Sequence, residues 1–313
     1  MIVITGASGY LGSHITRKFV SEGKSIRAIV HNRQRAQSEG RLKSLDVELV
    51  EADVTRPETL KAALDGATAI IHTVAIAIEK GGKTYEAINY QGTVNLVEAA
   101  RTAGVPRFIN ISQLGAAPQL PYRFLASKGK AQEYVAASDL DWTALRPCVI
   151  WGPEDEFANT FARLVPLTPL IFPIIGDENS LFQPVWVEDV VTSVTKSLDD
   201  PLTIGKEYEL GGPEVITLEE IERRTLAAIN ARRKMIHFPM GLIKVAVSLM
   251  EALLPAPPVT QSLLELLQVS NVTTENSLPK FVSNPRPFTV ENISAYMKDF
   301  TVSQTINQFL GKV

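Results

Sequence analysis

The octapeptide TGASGYLG, residues 5–12, sets Gly6, Gly9 and Gly12 at three-residue intervals. It lies between a β-branched apolar run (IVIT) and a helix-like stretch (YLGSHITRKFVSEG). Glycines in that context let backbone amides and a helix N-terminus come close to a pyrophosphate. The expected chemistry is dinucleotide binding, with contacts from Thr5, Gly6, Ser8, Gly9, Tyr10, Leu11 and Gly12. A tight turn kept only for packing is the competing reading. The cofactor choice should be written at the end of the second apolar run, VHNRQRA. There an acidic residue would grip a ribose 2′-hydroxyl and an arginine would accommodate a 2′-phosphate. His31, Asn32, Arg33 and Arg35 include no carboxylate, which favours NADP(H) over NAD(H) unless the arginines are simply solvated. Asp53 and Val54, after the third run, are expected beside the adenine, although an ordinary turn aspartate is the alternative for Asp53. Thr73, Val74 and Ala75 after the fourth run are further expected contacts.

Other chemistry-bearing residues point nowhere comparable. His14, His31, His72 and His237 show no metal-ligand spacing, and with Cys148 the only cysteine no metal site is expected. Glu154, Asp155 and Glu156 read as solvated loop carboxylates.

The elements that must position the glycine loop follow from alternation. IVIT, SIRAIV, VELVEAD, AIIHTV and RFINIS are short Ile- and Val-rich runs, the pattern of strands buried on both faces. Helical stretches that close near glycines separate them, and WTALRP supplies a sixth strand. The expected fold is α/β, a doubly wound parallel sheet of Rossmann type with a smaller mixed C-terminal lobe. Residues 1–150 would form the dinucleotide-binding domain, with returning segments near 182–200, and 151–313 the smaller lobe for substrate or partner. In that lobe the segment 240–254 is bracketed by Pro239 and Pro255 and carries one polar stripe, Lys244, Ser248 and Glu251. It is too short to span a bilayer and reads as a buried helix, with a partner- or membrane-facing helix as the alternative.

TGASGYLG, INYQGTVNLVEAARTAGVPRFINIS, SKGKAQEYV, DWTALRPCVIWGPEDEF and FQPVWVEDVV together resemble the atypical branch of the extended short-chain dehydrogenase/reductases. Within it the likeness is to the Rossmann-type accessory subunit of respiratory complex I and its bacterial relatives; LPAPPVTQSLLELL resembles the C-terminal signature of that group. The resemblance implies a catalytic tyrosine four residues before a lysine, which share a helix face, and a serine that polarises the substrate. The lysine matches Lys128, expected to hold the nicotinamide ribose, but the tyrosine position holds Phe124. A phenyl ring transfers no proton, and general acid/base catalysis contributes about 10² to 10⁴ in rate. Tyr122 could substitute only if it is non-helical, because on a helix it would lie about 9 Å along the axis from Lys128 and roughly 120° around it. Ser112 falls slightly before the serine position, where the chain has Gln113 and Leu114, and is expected near the nicotinamide instead. Pro147, Cys148 and Val149 match the loop that lies over the nicotinamide in the family.

The net charge of -3 argues against nucleic acid as a partner. One cysteine and an N-terminus without a signal-peptide pattern lead to the expectation of a cytoplasmic protein, with a peripheral place on the inner face of a membrane as the variant. Two altered catalytic positions beside an intact loop favour an NADP(H)-binding protein with a structural, accessory or assembly role in a larger membrane complex, docked through 240–254. An NADPH-dependent reductase or epimerase-like enzyme acting on an apolar, quinone- or isoprenoid-like molecule is the second reading. A sensor of the nucleotide's redox state is the third.

Overall fold

The computed structural model describes residues 1–310 except 39, 176–179, 256, 258, 298 and 299. Positions 256 and 258 of the LPAPPV signature therefore lie outside the described residues. The chain divides into two compact units. The first comprises Met1–Pro147, Val187–Leu210 and Glu275–Asn284; the second comprises Cys148–Trp186, Gly211–Thr274 and Pro285–Val313.

In the first unit the apolar runs become β1 (Ile2–Thr5), β2 (Ile26–Val30), β3 (Glu48–Glu51), β4 (Ala69–His72), β5 (Arg107–Ile111) and β6 (Asp141–Pro147). All pair in parallel in the order β3-β2-β1-β4-β5-β6, and a strand from the returning chain, Lys206–Leu210, closes the edge beside β6. Five helices connect them: α1 (Tyr10–Ser21), α2 (Arg33–Ser38), α3 (Pro57–Ala63), α4 (Gly92–Ala103) and α5 (Arg123–Ala136). Parallel strands need such crossovers, which cover both faces and favour strands that are largely apolar. One layer of the core joins Leu60 and Leu64 with Leu96, Val97 and Ala100, against Val3, Ile70 and Phe108 of the sheet. Truncating a fully buried ring such as Phe108 to Ala would cost about 3–5 kcal/mol. α4 stops at Gly104, whose φ of +67° closes the helix in the left-handed region. On the other face the helix Val187–Asp199 packs against α1, and His14 Nδ1 lies 2.5 Å from Glu188 Oε1.

The second unit is built from short strand pairs, among them Ile171–Ile174 with Lys234–His237, around an aromatic cluster of Trp151, Trp186 and Phe288. Two expectations fail here. Asp155 is fully buried rather than solvated, because its carboxylate accepts the backbone N–H groups of Gly152 (3.0 Å), Phe157 (2.7 Å) and Asn159 (3.2 Å). Burial raises its pKa to about 6 despite those donors. The helix Met240–Leu253 is not buried either: only Val247 is, while Leu242 (61%), Val245 (59%), Leu249 (58%) and Leu253 (77%) share an exposed face. No helix among the described residues is long and apolar enough to cross a membrane.

Candidate functional site

The loop between β1 and α1 is tight because its glycines leave no room for side chains. Gly6 has φ +71°, and its carbonyl accepts the Gly9 N–H at 2.9 Å. A Cβ on Gly12 would lie 2.2 Å from that carbonyl oxygen, and one on Gly6 would lie 2.7 Å from Thr73 Oγ1. α1 starts at Gly9 with no side-chain cap and no acidic residue in its first turn. Its N-terminal amides and the positive end of its dipole thus suit an anion.

A cleft of about 280 Å³ opens on this loop. Of the expected contacts it is lined by Gly6, Ser8, Gly9, His31, Val54, Thr73, Val74 and Ala75. Its apolar walls are Ile29, Val30, Ala52, Ile76 and Ile88, and Lys83 adds a cation; none of these six was singled out from sequence. The apolar ones are indistinguishable from core residues by type, whereas the GGK turn before Thr84 was the one available signal for Lys83. Thr5 and Leu11 are buried beneath the loop, Gly12 packs on Gly6, and Tyr10 stands edge-on to His14 at 5.3 Å.

Asn32, Arg33 and Asp53 do not line the cleft. Asn32 Oδ1 accepts the Arg35 N–H (2.7 Å) at the start of α2, and the Arg33 N–H donates to Glu51 Oε2 (3.1 Å) at the end of β3. Asp53 takes both the N–H and the hydroxyl of Thr55 at 2.8 Å, the turn-aspartate geometry, and lies 3.5 Å from His31. Burial works against its charge, but the Thr55 donors and His31 outweigh it and hold the carboxyl below the ordinary value.

At the catalytic positions, Tyr122 is extended (φ -80°, ψ 104°) and precedes the first turn of α5, so it is non-helical. Phe124 packs edge-on against Tyr85 at 5.8 Å. Lys128 is buried and donates to the Ile111 carbonyl at 2.7 Å; burial lowers its pKa to about 8. Ser112 gives its N–H to the Leu145 carbonyl at 2.8 Å, and no described residue bonds its buried hydroxyl. Pro147 ends β6 and accepts the Leu114 N–H (3.1 Å). Cys148 and Val149 belong to the second unit, where Cys148 is buried and the Val149 N–H donates to Asn271 Oδ1 (2.7 Å).

Below these positions runs a polar ladder that sequence reasoning missed. His72 Nδ1 meets Thr5 Oγ1 at 2.7 Å, its Nε2 meets Thr93 Oγ1 at 3.0 Å, and Thr93 donates to the Asn89 carbonyl at 2.7 Å. The Asn89 amide donates to Ser127 Oγ (3.1 Å) on α5. Asn89 sits on a π-helical stretch, Glu86–Gln91, a distortion often found near functional sites. Burial, and then the Lys128 charge, push the His72 pKa down to about 3, so the imidazole is a neutral link between the loop strand, α4 and α5. No cluster of metal-ligating residues occurs among the described residues.

The arrangement suits a dinucleotide: a glycine cradle that a Cβ would fill, an uncapped helix N-terminus, an apolar cleft, and a buried serine hydroxyl with no hydrogen-bond partner among the described residues. Comparison with known proteins agrees. A family model described as NAD(P)H-binding matches residues 6–159. A mitochondrial NADH dehydrogenase [ubiquinone] 1 alpha subcomplex subunit 9 from Arabidopsis thaliana is 28% identical over 281 residues, covering 87% of this chain and 69% of its own. A ceramide reductase from Caulobacter vibrioides is 28% identical over 252 residues (80% and 78%). A photosystem II assembly factor Ycf39 from Guillardia theta is 33% identical over 220 residues (70% and 67%). Among solved structures, the UDP-glucose 4-epimerase of Thermus thermophilus in complex with NAD shares the fold, with a TM-score of 0.70 at 20% identity over 97% of this chain and 98% of its own.

Proposed function

This chain belongs to the atypical NAD(P)-binding short-chain dehydrogenase/reductases, and on that premise we propose that it retains NADP(H) as a resident group and serves as an accessory or assembly protein of a membrane-bound respiratory or photosynthetic complex. The observation that carries this reading is Phe124, an apolar ring at the proton-donor position of a site whose glycine loop and buried Lys128 are kept. When bound, the nucleotide would supply hydride chemistry. The chain's own residues would do the holding. Backbone amides of the 6–12 loop take the pyrophosphate, Val54 and Ile88 wall the adenine, Thr73–Ala75 flank the loop, and Lys128 with Ser112 meets the nicotinamide ribose end. His31 at the far end of the cleft, with Asn32, Arg33 and Arg35 following it outside the lining, favours the 2′-phosphate of NADP(H). The exposed apolar face of Met240–Leu253 is the docking element. Two relatives are named as a respiratory-complex subunit and a photosystem assembly factor, which supports that kind of partner.

The test is to purify the protein without added nucleotide, denature it and quantify what is released. About one NADP(H) per chain supports a resident cofactor. An empty or freely exchanging site, or NADPH oxidation with added carbonyls or quinones at ordinary enzymatic rates by the protein alone, refutes it.

A second reading has specific support in the non-helical Tyr122 and in the ceramide reductase relative. In it the protein is an NADPH-dependent reductase of an apolar small molecule, with its proton drawn from Tyr122, water or the substrate. Phe124→Tyr separates the two: turnover gained indicates a site still shaped for carbonyl chemistry, and no change fits a retired one.

A further inference from the structure

Between β4 and the π-helical stretch, the chain forms a small hairpin. Lys80 and Lys83 exchange backbone hydrogen bonds at 3.2 and 3.0 Å around Gly81 and Gly82, whose φ values of +57° and +79° give the turn that two-residue hairpins favour. Its stalk is pinned. The Glu79 carboxylate accepts from both terminal guanidinium nitrogens of Arg123 (2.7 and 2.9 Å) and from the Tyr85 N–H (2.8 Å), while the Tyr85 hydroxyl donates to the Ala77 carbonyl (2.8 Å). The hairpin is therefore held at the rim of the nucleotide cleft, and Lys83 lines it.

Among the described residues that line the cleft, Lys83 is the only lysine or arginine. The carboxylates nearest it in sequence are engaged elsewhere, Glu79 with Arg123 and Glu86 with Lys130 (3.1 Å). Against the charge of a dinucleotide's two phosphates, the α1 N-terminus offers only about half a positive charge. The hairpin continues from Thr73–Ile76, the segment that touches Gly6, whereas the 2′-phosphate end of the cleft is marked by His31.

We infer that Lys83 is the side-chain cation that binds the dinucleotide's pyrophosphate, presented from the hairpin at the rim of the cleft. This rests on the nucleotide-binding reading. The experiment is calorimetric titration of the full chain, stripped of nucleotide, with NAD+ and NADP+ at two salt concentrations, comparing wild type with Lys83→Gln, Lys83→Arg and the control Lys80→Gln. Lys83→Gln is expected to weaken both nucleotides by a similar factor, about tenfold, as for loss of a charge-assisted hydrogen bond. It should also flatten the salt dependence, while Lys83→Arg retains most of the affinity and Lys80→Gln changes it little. Loss confined to NADP+ overturns the assignment in favour of the 2′-phosphate, and unchanged affinity for both overturns it outright. A wild-type chain that binds neither nucleotide would instead remove the nucleotide reading itself, and the assignment with it.

Discussion

Replacing Lys128 by methionine should make the nucleotide-free protein more stable at neutral pH and less stable at high pH. The Lys128 ammonium is buried, and its pKa falls from 10.5 to about 8 because burial penalises the charged form. Below pH 8 both native and unfolded states carry the proton, so the native state bears the whole penalty. At about 1.4 kcal/mol per unit, that is roughly 3 kcal/mol. Between pH 8 and 10.5 the unfolded chain binds more protons than the native one, so wild-type stability rises with pH and the penalty vanishes above that window. Methionine has a similar volume but strips the Ile111 carbonyl of its 2.7 Å donor, which costs about 1–2 kcal/mol. The net effect is a gain of about 1–2 kcal/mol at pH 7, a crossing of zero between about pH 9 and 10, and a loss of about 1–2 kcal/mol above that. Urea unfolding of both proteins from about pH 6 to 10.5, followed by far-UV ellipticity, reads the difference directly. A variant less stable at pH 7, or a difference that does not move with pH, would refute the reasoning. The same substitution should weaken NADP(H) binding, since a lysine kept buried at such a cost is a mark of a functional position.

Gly12→Ala should abolish nucleotide binding and lower stability by several kcal/mol, because its Cβ would be forced to 2.2 Å from the Gly6 carbonyl; nucleotide titration and thermal unfolding check both. Glu222 is buried and its pKa is pushed up to about 9, so the native state holds a proton that the unfolded chain releases above its ordinary value. The stability this provides is full below pH 4.5 and is lost as pH rises toward 9, by roughly 1.4 kcal/mol per pH unit. Glu222→Gln should match wild type near pH 5 and exceed it by roughly 2–3 kcal/mol at pH 7, and equal stabilities at both pH values would contradict the burial argument. Leu242→Gln with Leu249→Gln should leave stability within about 0.5 kcal/mol, as both side chains are exposed, yet reduce recovery of the protein with the membrane-bound complex proposed as its partner; retention of that association would exclude this helix as the docking element.

Local covalent and packing demands explain what could be read in advance. Strands buried on both faces must be largely apolar, so the runs that hold β1 to β5 appear rich in Ile and Val. A loop that approaches a helix N-terminus must avoid Cβ atoms, so Gly6, Gly9 and Gly12 mark it. The pairing of Phe124 with Lys128 one helical turn later was equally legible, because i and i+4 share a face. The non-helical Tyr122 was legible only as a condition, which the start of α5 at Arg123 meets.

The rest depended on how the folded chain surrounds each group. Three acidic residues in a loop read as solvated, but whether three backbone N–H groups converge on Asp155 is settled by the turn they form together. An apolar helix reads as buried, yet Met240–Leu253 buries only Val247, because burial requires a surface to pack against as well as an apolar side chain. Lys83 lines the cleft from a hairpin whose stalk residue Glu79 is pinned by Arg123, 44 residues away, and His72, bonded to Thr5 and Thr93, becomes a neutral strut through burial and then the nearby Lys128 charge. By itself, then, the sequence determined the sheet, the glycine loop and the loss of the proton donor, since each is a constraint on neighbouring residues. The tertiary structure decided which charges face the cleft and which are neutralised by burial, since desolvation and ion pairing act between groups that only folding brings together.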